Sequence, residues 1–245
     1  MNRNESFPAS DVTELALHLA WASADVTVDE VSEIQVMVSG NEGDVNDLKI
    51  LCDDGRLLIE QPTYGLSIKL NTERWMHVLV RIPSQWKGAL DANTISAPLK
   101  ARGLTGTDLQ LDTVSGDVQA IDLTGITIAL RTVSGNVAAG GISAGHLSLR
   151  TVSGDVTVDC ADARVYRLNT VSGEASIDMA APFERLDGVT VSGSVRVYTP
   201  VCEADAVLRS VNGRLRTSGV SIMENAPVIH VKSVSGDLEI NHQDI

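Results

Sequence analysis

The stretch Thr-Val-Ser-Gly-Asp-Val stands whole at residues 113–118 and 151–156, with close copies at 132–137, 170–175, 190–195, 210–215 and 233–238. Its glycines are Gly116, Gly135, Gly154, Gly173, Gly193, Gly213 and Gly236, spaced by 19, 19, 19, 20, 20 and 23 residues. A worn copy, Thr94-Ile95-Ser96-Ala97, precedes Gly116 by the same 19 residues. A fixed period of this size marks a chain built by stacking one supersecondary unit on itself.

Aligned on the glycines, the copies form columns. Leu109 and Leu111, Ile128 and Leu130, and Leu147 and Leu149 lie seven and five residues before their glycines; Val118 and Ala120, Val137 and Ala139, and Val156 and Val158 lie two and four after. Alternation of this kind is a strand signal. The apolar face also changes phase, from odd-numbered Leu109 and Leu111 to even-numbered Val114, Val118 and Ala120. A strand alternates strictly, so a corner or bulge must fall at the Thr-Val or the Ser-Gly step. The glycine there supplies a backbone angle or a close approach that a Cβ forbids.

An antiparallel meander, with each Ser-Gly as a hairpin turn, is one solution. It has no need to repeat four residue types at one period. A solenoid does, because each residue packs on its own copy in the next coil. The sequence therefore predicts an all-β fold: a single-stranded parallel β-solenoid over residues 91–245, with coils of 19–20 residues.

Residues 1–90 read as a β-rich segment that caps the solenoid. After a loose start over 1–10, Leu15, Leu17, Leu19 and Trp21 alternate, with a helix as the rival reading, and the strand continues through 25–28. Ile34, Val36 and Val38 give a second strand, and a loop follows at 40–44. Asp53-Asp54-Gly55-Arg56 marks a hairpin between Leu48, Ile50 and Leu57, Ile59. Leu66, Ile68, Leu70 and then Met76, Val78, Val80, Ile82 give two further strands, the last ended by Pro83.

Only eight residues are aromatic, and a stack of small and branched side chains suits that composition. The net charge of −13 argues against nucleic acid or an anionic bilayer as the main partner. Cys52, Cys160 and Cys202 fall in no metal-ligand spacing and are expected to be unlinked, buried small side chains. No apolar segment follows Met1 and no run reaches the length of a membrane helix, so neither a signal peptide nor membrane insertion is expected. On that evidence the protein is cytoplasmic or leaves by an unrecognised route.

The residue after each glycine, Asp117, Asn136, Asp155, Glu174, Ser194, Arg214 and Asp237, forms a broken acidic row. One side chain per coil falls short of a calcium site, so the row reads as solvated turn residues and no metal is expected. Asp112, Arg131, Arg150, Asn169, Val189, Arg209 and Lys232 form a second row. It reads as a solvated edge with local ion pairs, Asp117 and Asp155 supplying countercharge; a grip on an anionic polymer is the alternative. Gly141-Ile142-Ser143-Ala144-Gly145 matches a nucleophile elbow but lacks the helix that must follow. His18, His77, His146, His230 and His242 are scattered, and no cofactor motif is present. The departures from the columns are Arg214 for Asp, Asn212 for Ser, Gly188 for Leu, and the insertion 218–227. Ligand contact is therefore expected near Arg214 and Arg216.

The repeats, with the N-terminal segment ending in Val78-Leu79-Val80-Arg81-Ile82-Pro83, resemble the bacterial "putative adhesin" family of Thr-x-Ser-Gly-Asp β-strand repeats over roughly residues 12–240. The resemblance implies a β-solenoid-like structure, surface attachment and a cell-envelope setting, and brings no catalytic residues. Together these readings predict a non-enzymatic adhesin-like binding or structural module of the cell envelope. Its partner would be an envelope protein or glycan, or a second copy of itself, and no cofactor is expected. The alternative is a cytoplasmic scaffold or sensor of envelope stress, and an enzyme acting on polysaccharide comes third. That enzyme would need aromatic platforms, for which the repeats offer only Tyr166, Phe183 and Tyr198.

Overall fold

The computed structural model describes residues 1–62 and 74–243. The protein is all-β, and its described residues include a short helix at Glu42–Asp47 and a three-residue 3-10 turn. Strand Thr105–Thr113 pairs in parallel with Thr124–Arg131, placing Leu109 beside Ile128 and Leu111 beside Leu130. Ser143–Arg150, the second half of Val137–Arg150, continues this ladder, with Ile128 beside Leu147. A second parallel ladder joins Leu99–Arg102, Val118–Ile121 and the first half of Val137–Arg150. Every partner is the residue's own counterpart 19 positions away. Each coil therefore contributes one strand to each of two sheets, and the inward side chains fill a single core that runs from Val12 to Ile240.

Two corners close each coil. At the first, bridges link Ser115, Ser134, Ser153, Ser172, Ser192 and Ser235 in one line. The second was not evident as a sequence column. Gly103, Asp122, Gly141 and Cys160, each 19 residues apart, take positive φ of 73°, 54°, 63° and 54°. The next residue in each case, Leu104, Leu123, Ile142 or Ala161, turns into the core. This explains Gly141 as a corner residue, while Ser143 lies in a strand register with Thr124 and Asp162.

The coils do not stack in chain order at either end. Glu14–Leu19 and Ser23–Asp29 form a coil that lies between residues 89–102 and residues 56–83. At the other end, Arg185–Val189 and Val195–Thr199 pair with Val228–Lys232 and Leu238–His242, which in turn pair with Glu203–Arg209 and Leu215–Ser218. The last coil in sequence is thus the penultimate one in space. The insertion at 218–227 carries the chain back inside the terminal coil; its short strand Ser221–Ile222 lies beside Glu203 and Ala204.

Beyond residues 56–83 the pairing turns antiparallel. Glu33–Gly40 covers Met76–Pro83, Asn2–Pro8 covers Glu33–Gly40, and Lys49–Asp53 covers Arg56–Glu60. Residues 2–8, expected to be loose, are therefore a strand, because the register offers their backbone a full ladder. The stretch expected to loop after Gly40 instead enters the helix Glu42–Asp47. The Asp54-Gly55 turn holds both residues at positive φ, 46° and 79°, as a two-residue hairpin requires. The expected continuous strand through Trp21 is broken by a corner at Ala20–Ala22, where Gln61 Oε1 accepts all three backbone N–H groups (2.8, 3.0 and 3.2 Å). The strand expected over Leu66, Ile68 and Leu70 lies outside the described residues.

The cysteines correct their expectation in one respect. All three are free, yet all are exposed. Cys160 stands at the left-handed corner position, where the side chain leaves the core, and Cys52 faces outward on an edge strand paired on one side, by Arg56–Glu60.

Deleting residues 1–90 would remove the antiparallel strands together with two stacked coils. It would expose the edges of residues 91–94 and of Leu99–Arg102, an invitation to strand association. The remaining chain is expected to elute as oligomers or aggregates on size exclusion; a monomer that unfolds cooperatively would contradict this.

Candidate functional site

The repeated corner is the most ordered outward feature of the molecule. Its threonines point inward: Thr94, Thr113, Thr132, Thr151, Thr170 and Thr190 are buried. Thr113, Thr132 and Thr151 donate through Oγ1 to the carbonyls of Ala97, Gly116 and Gly135 in the preceding coil (3.2, 2.9 and 3.2 Å). The valines point outward, correcting the reading that placed Val114 on the apolar face. The inward set is Leu109, Leu111 and Thr113, then Val118 and Ala120, so the phase changes across Ser-Gly and not at Thr-Val.

The glycine is required by its neighbour. A Cβ on Gly135, Gly154, Gly173, Gly193, Gly213 or Gly236 would collide with the carbonyl oxygen of the stacked glycine, and one on Gly116 with that of Ala97. Gly154 and Gly173 also hold φ of 141° and 131°.

The residue after glycine is more than a solvated turn. Asp117 Oδ1 accepts the N–H of Asn136 (2.8 Å), Asn136 Oδ1 that of Asp155 (2.9 Å), and Asp155 Oδ1 that of Glu174 (2.8 Å). Each short polar side chain thus satisfies a backbone donor on the next coil, which is why Asp and Asn recur. Asp237 does the same for Arg214 (2.8 Å). Among the described residues no coil follows that of Arg214 in the stack, so that position needs no acceptor and tolerates a long cation.

Ile95, Val114, Val133, Val171, Val191, Val234 and Val211 are all large exposed apolar residues, from 43% to 76% accessible, and half-buried Val152 continues their line. At about 4.8 Å per coil the eight span about 34 Å.

The basic row has a different arrangement. Arg131 pairs with Asp112 (3.3 Å), not with Asp117. Arg150 lies directly beside Arg131, and Lys232 beside Arg209. Burial is the largest influence on Asp112 and raises its pKa from the ordinary carboxylate value; Arg131 opposes the rise and Asp91 adds to it. Asp187 is lowered, first by the hydrogen bonds of Arg185 (2.6 and 2.8 Å).

Of the expected ligand residues, Arg216 is tied to Glu239 and Asp237 (3.2 and 3.6 Å), while the Arg214 guanidinium has no ion pair among the described residues. Gly188 departs from leucine because a Cβ there would come within 3.0 Å of Val231 Cγ2, which fills the space. Tyr166 and Phe183 are buried and meet edge to face at 6.2 Å, so they form no sugar platform. Among the described residues no group of three or more His, Cys, Asp or Glu side chains could hold a metal, and no helix is long and apolar enough to cross a membrane.

The family model described as Toastrack DUF4097 matches residues 12–241. The chain belongs to that family. Its fold is similar to that of solved bacterial proteins. A putative adhesin from Parabacteroides merdae is 12% identical with a TM-score of 0.64, covering 98% of this chain and 95% of its own. A "putative lipid binding protein" from Parabacteroides distasonis is 17% identical with a TM-score of 0.62, covering 99% and 96%. A putative adhesin from Bacteroides fragilis is 10% identical with a TM-score of 0.59, covering 98% and 97%. No curated protein matches the chain significantly in sequence. At these identities the likeness is one of fold.

Two outcomes are expected from the corner. Gly154→Val forces a side chain into the Gly135 carbonyl at positive φ and is expected to cost about 3 kcal/mol or more. Asp155→Ala removes one acceptor and is expected to cost about 1 kcal/mol. Equal midpoints in denaturant melts of the two variants would show that the corner contact is not what holds the coils.

The two carboxyls should respond to pH with opposite sign. Asp112 holds its proton more tightly when folded, so its contribution favours folding in acid and is withdrawn as pH rises past the ordinary carboxylate value. Asp187 contributes at neutral pH and loses that contribution as pH falls through its depressed value. Asp112→Asn is therefore expected to keep or raise stability at neutral pH despite losing an ion pair. Asp187→Asn should lower it slightly there and match the parent in acid. Denaturant titrations across the carboxylate range check both.

Proposed function

We propose that the protein is a non-enzymatic, adhesin-like binding module of the bacterial cell envelope. In this reading it is a parallel β-solenoid with 19–20-residue coils, and it presents its stacked rows to an extended glycan or protein. The corner row from Ile95 to Val211 carries the proposal. Monomeric proteins seldom leave a continuous apolar line of this length uncovered without a contact to make. Groups that converge for catalysis are unlike one another, whereas this surface sets like residues side by side. The adhesin names of the structural neighbours support the reading. Arg214 and Arg216 enter it as contacts at the end of the stack, beside Val211.

Retention on cell-wall glycans and envelope extract measures this. Val133→Asp with Val171→Asp, which places charge in the middle of the row, is expected to lower retention about tenfold or more, with melting unchanged. Arg214→Ala with Arg216→Ala should give a smaller loss. Unchanged retention in the valine variant, or a hydrolytic turnover abolished by one substitution in the repeats, would overturn the proposal.

A further inference from the structure

The outer face of the first sheet concentrates positive charge on an acidic chain. Four strands, residues 165–169, 185–189, 228–232 and 205–209, lie side by side in that order. Reading outward side chains across them gives Arg167, Asp187, His230 and Val207 in one column, and Asn169, Val189, Lys232 and Arg209 in the next. Arg150 extends the second column by one coil and Arg131 by two. Arg185 is spent on Asp187, and Arg131 on Asp112. Arg150, Arg167, Lys232 and Arg209 have no ion pair among the described residues.

Two of these cations are direct strand neighbours. Lys232 and Arg209 are paired across the ladder, as are Arg131 and Arg150. Like charges directly opposite on a sheet repel, and among the described residues neither Lys232 nor Arg209 is held in an ion pair that would offset this. A cleft of about 400 Å³ opens at that pair, lined by Val189, Val207, Lys232, Arg209 and His230 and, on one side, by the Arg185–Asp187 ion pair, whose carboxylate is already neutralised. From Arg150 to Arg209 is four register steps, about 19 Å.

We propose that this face binds an extended anionic polymer of sugar or polyol units, bearing carboxylate or phosphate groups. The proposal rests on the binding-module reading and gives it a ligand class. Guanidinium and ammonium groups bind both kinds of oxyanion, arginine bidentately. Val189 and Val207 accept the carbon face of a sugar or polyol. Nucleic acid fits less well, because none of the outward side chains in these four strands is Phe, Tyr or Trp, on which bases stack. Physiological salt screens the overall charge of −13 beyond about 8 Å, so the remaining carboxylates do not prevent a contact made on this face.

The test uses the full chain and measures binding to a polyuronate, a polyglycerol phosphate, neutral dextran, single-stranded DNA and phosphatidylserine vesicles. The polyuronate or the polyglycerol phosphate is expected to bind, dextran not, with affinity falling as salt rises. Arg209→Glu with Lys232→Glu should cut that affinity at least tenfold. Lys87→Glu with Lys100→Glu makes the same change in net charge elsewhere and should leave it nearly intact. Equal losses in the two variants, no binding to either polyanion, or tighter binding to DNA or vesicles would overturn the proposal. If Arg209→Glu with Lys232→Glu retains envelope attachment while the corner variant loses it, the polyanion site alone is refuted. Loss of neither refutes both readings.

Discussion

The contact of one corner glycine with the carbonyl of the glycine beneath it sets the geometry of the whole molecule. A side chain on the upper residue would occupy the oxygen's place, so the coils reach strand spacing only where that residue is bare, whereas the residue beneath can be Ala97. Once they are that close, the inward hydroxyls of Thr113, Thr132 and Thr151 meet the lower coil's carbonyl and the outward Asp or Asn meets the upper coil's N–H. The leucines and valines on either side then fall on their own copies. Few large side chains are needed, because the core is shared along a line of coils and not packed around a centre.

Positions that depart from the repeat follow from what stacks on them. Arg214 lies on the terminal coil and has no further donor to satisfy. Asn212 replaces serine on the same coil, where the line of serine bridges has ended. Gly188 gives up its side chain to Val231, a neighbour only because the last coil of the sequence slips in before the one that precedes it. These departures look like candidate ligand positions in the sequence, and the stack shows why each is tolerated where it stands.

The surface left over has two unlike features. The corner carries a narrow apolar line, and the outer face of the first sheet carries unpaired cations near the terminal coil. Both are rows and not points, as expected when each coil adds one copy of the same outward residue. A long partner can meet several copies at once, so contacts that are individually weak act together through effective concentration.

The period, the strands of the repeats and the Asp54-Gly55 hairpin were legible in the sequence, because in-register stacking puts each residue on its own copy and so prints the coil length onto the chain. The second corner was not, since glycine, aspartate and cysteine all serve at Gly103, Asp122, Gly141 and Cys160, and a shared φ leaves no shared letter. Residue polarity also misled at the first corner, where Thr is buried and Val exposed, because a buried hydroxyl that meets a carbonyl is acceptable and an outward valine is covered in part by its neighbours. The order of the coils at the two ends was decided by tertiary structure alone. Any copy of the repeat can stack on any other with nearly the same contacts, so the repeat itself cannot rank them. The choice falls to the excursions at 30–55 and 218–227, whose pairings exist only once the coils are assembled.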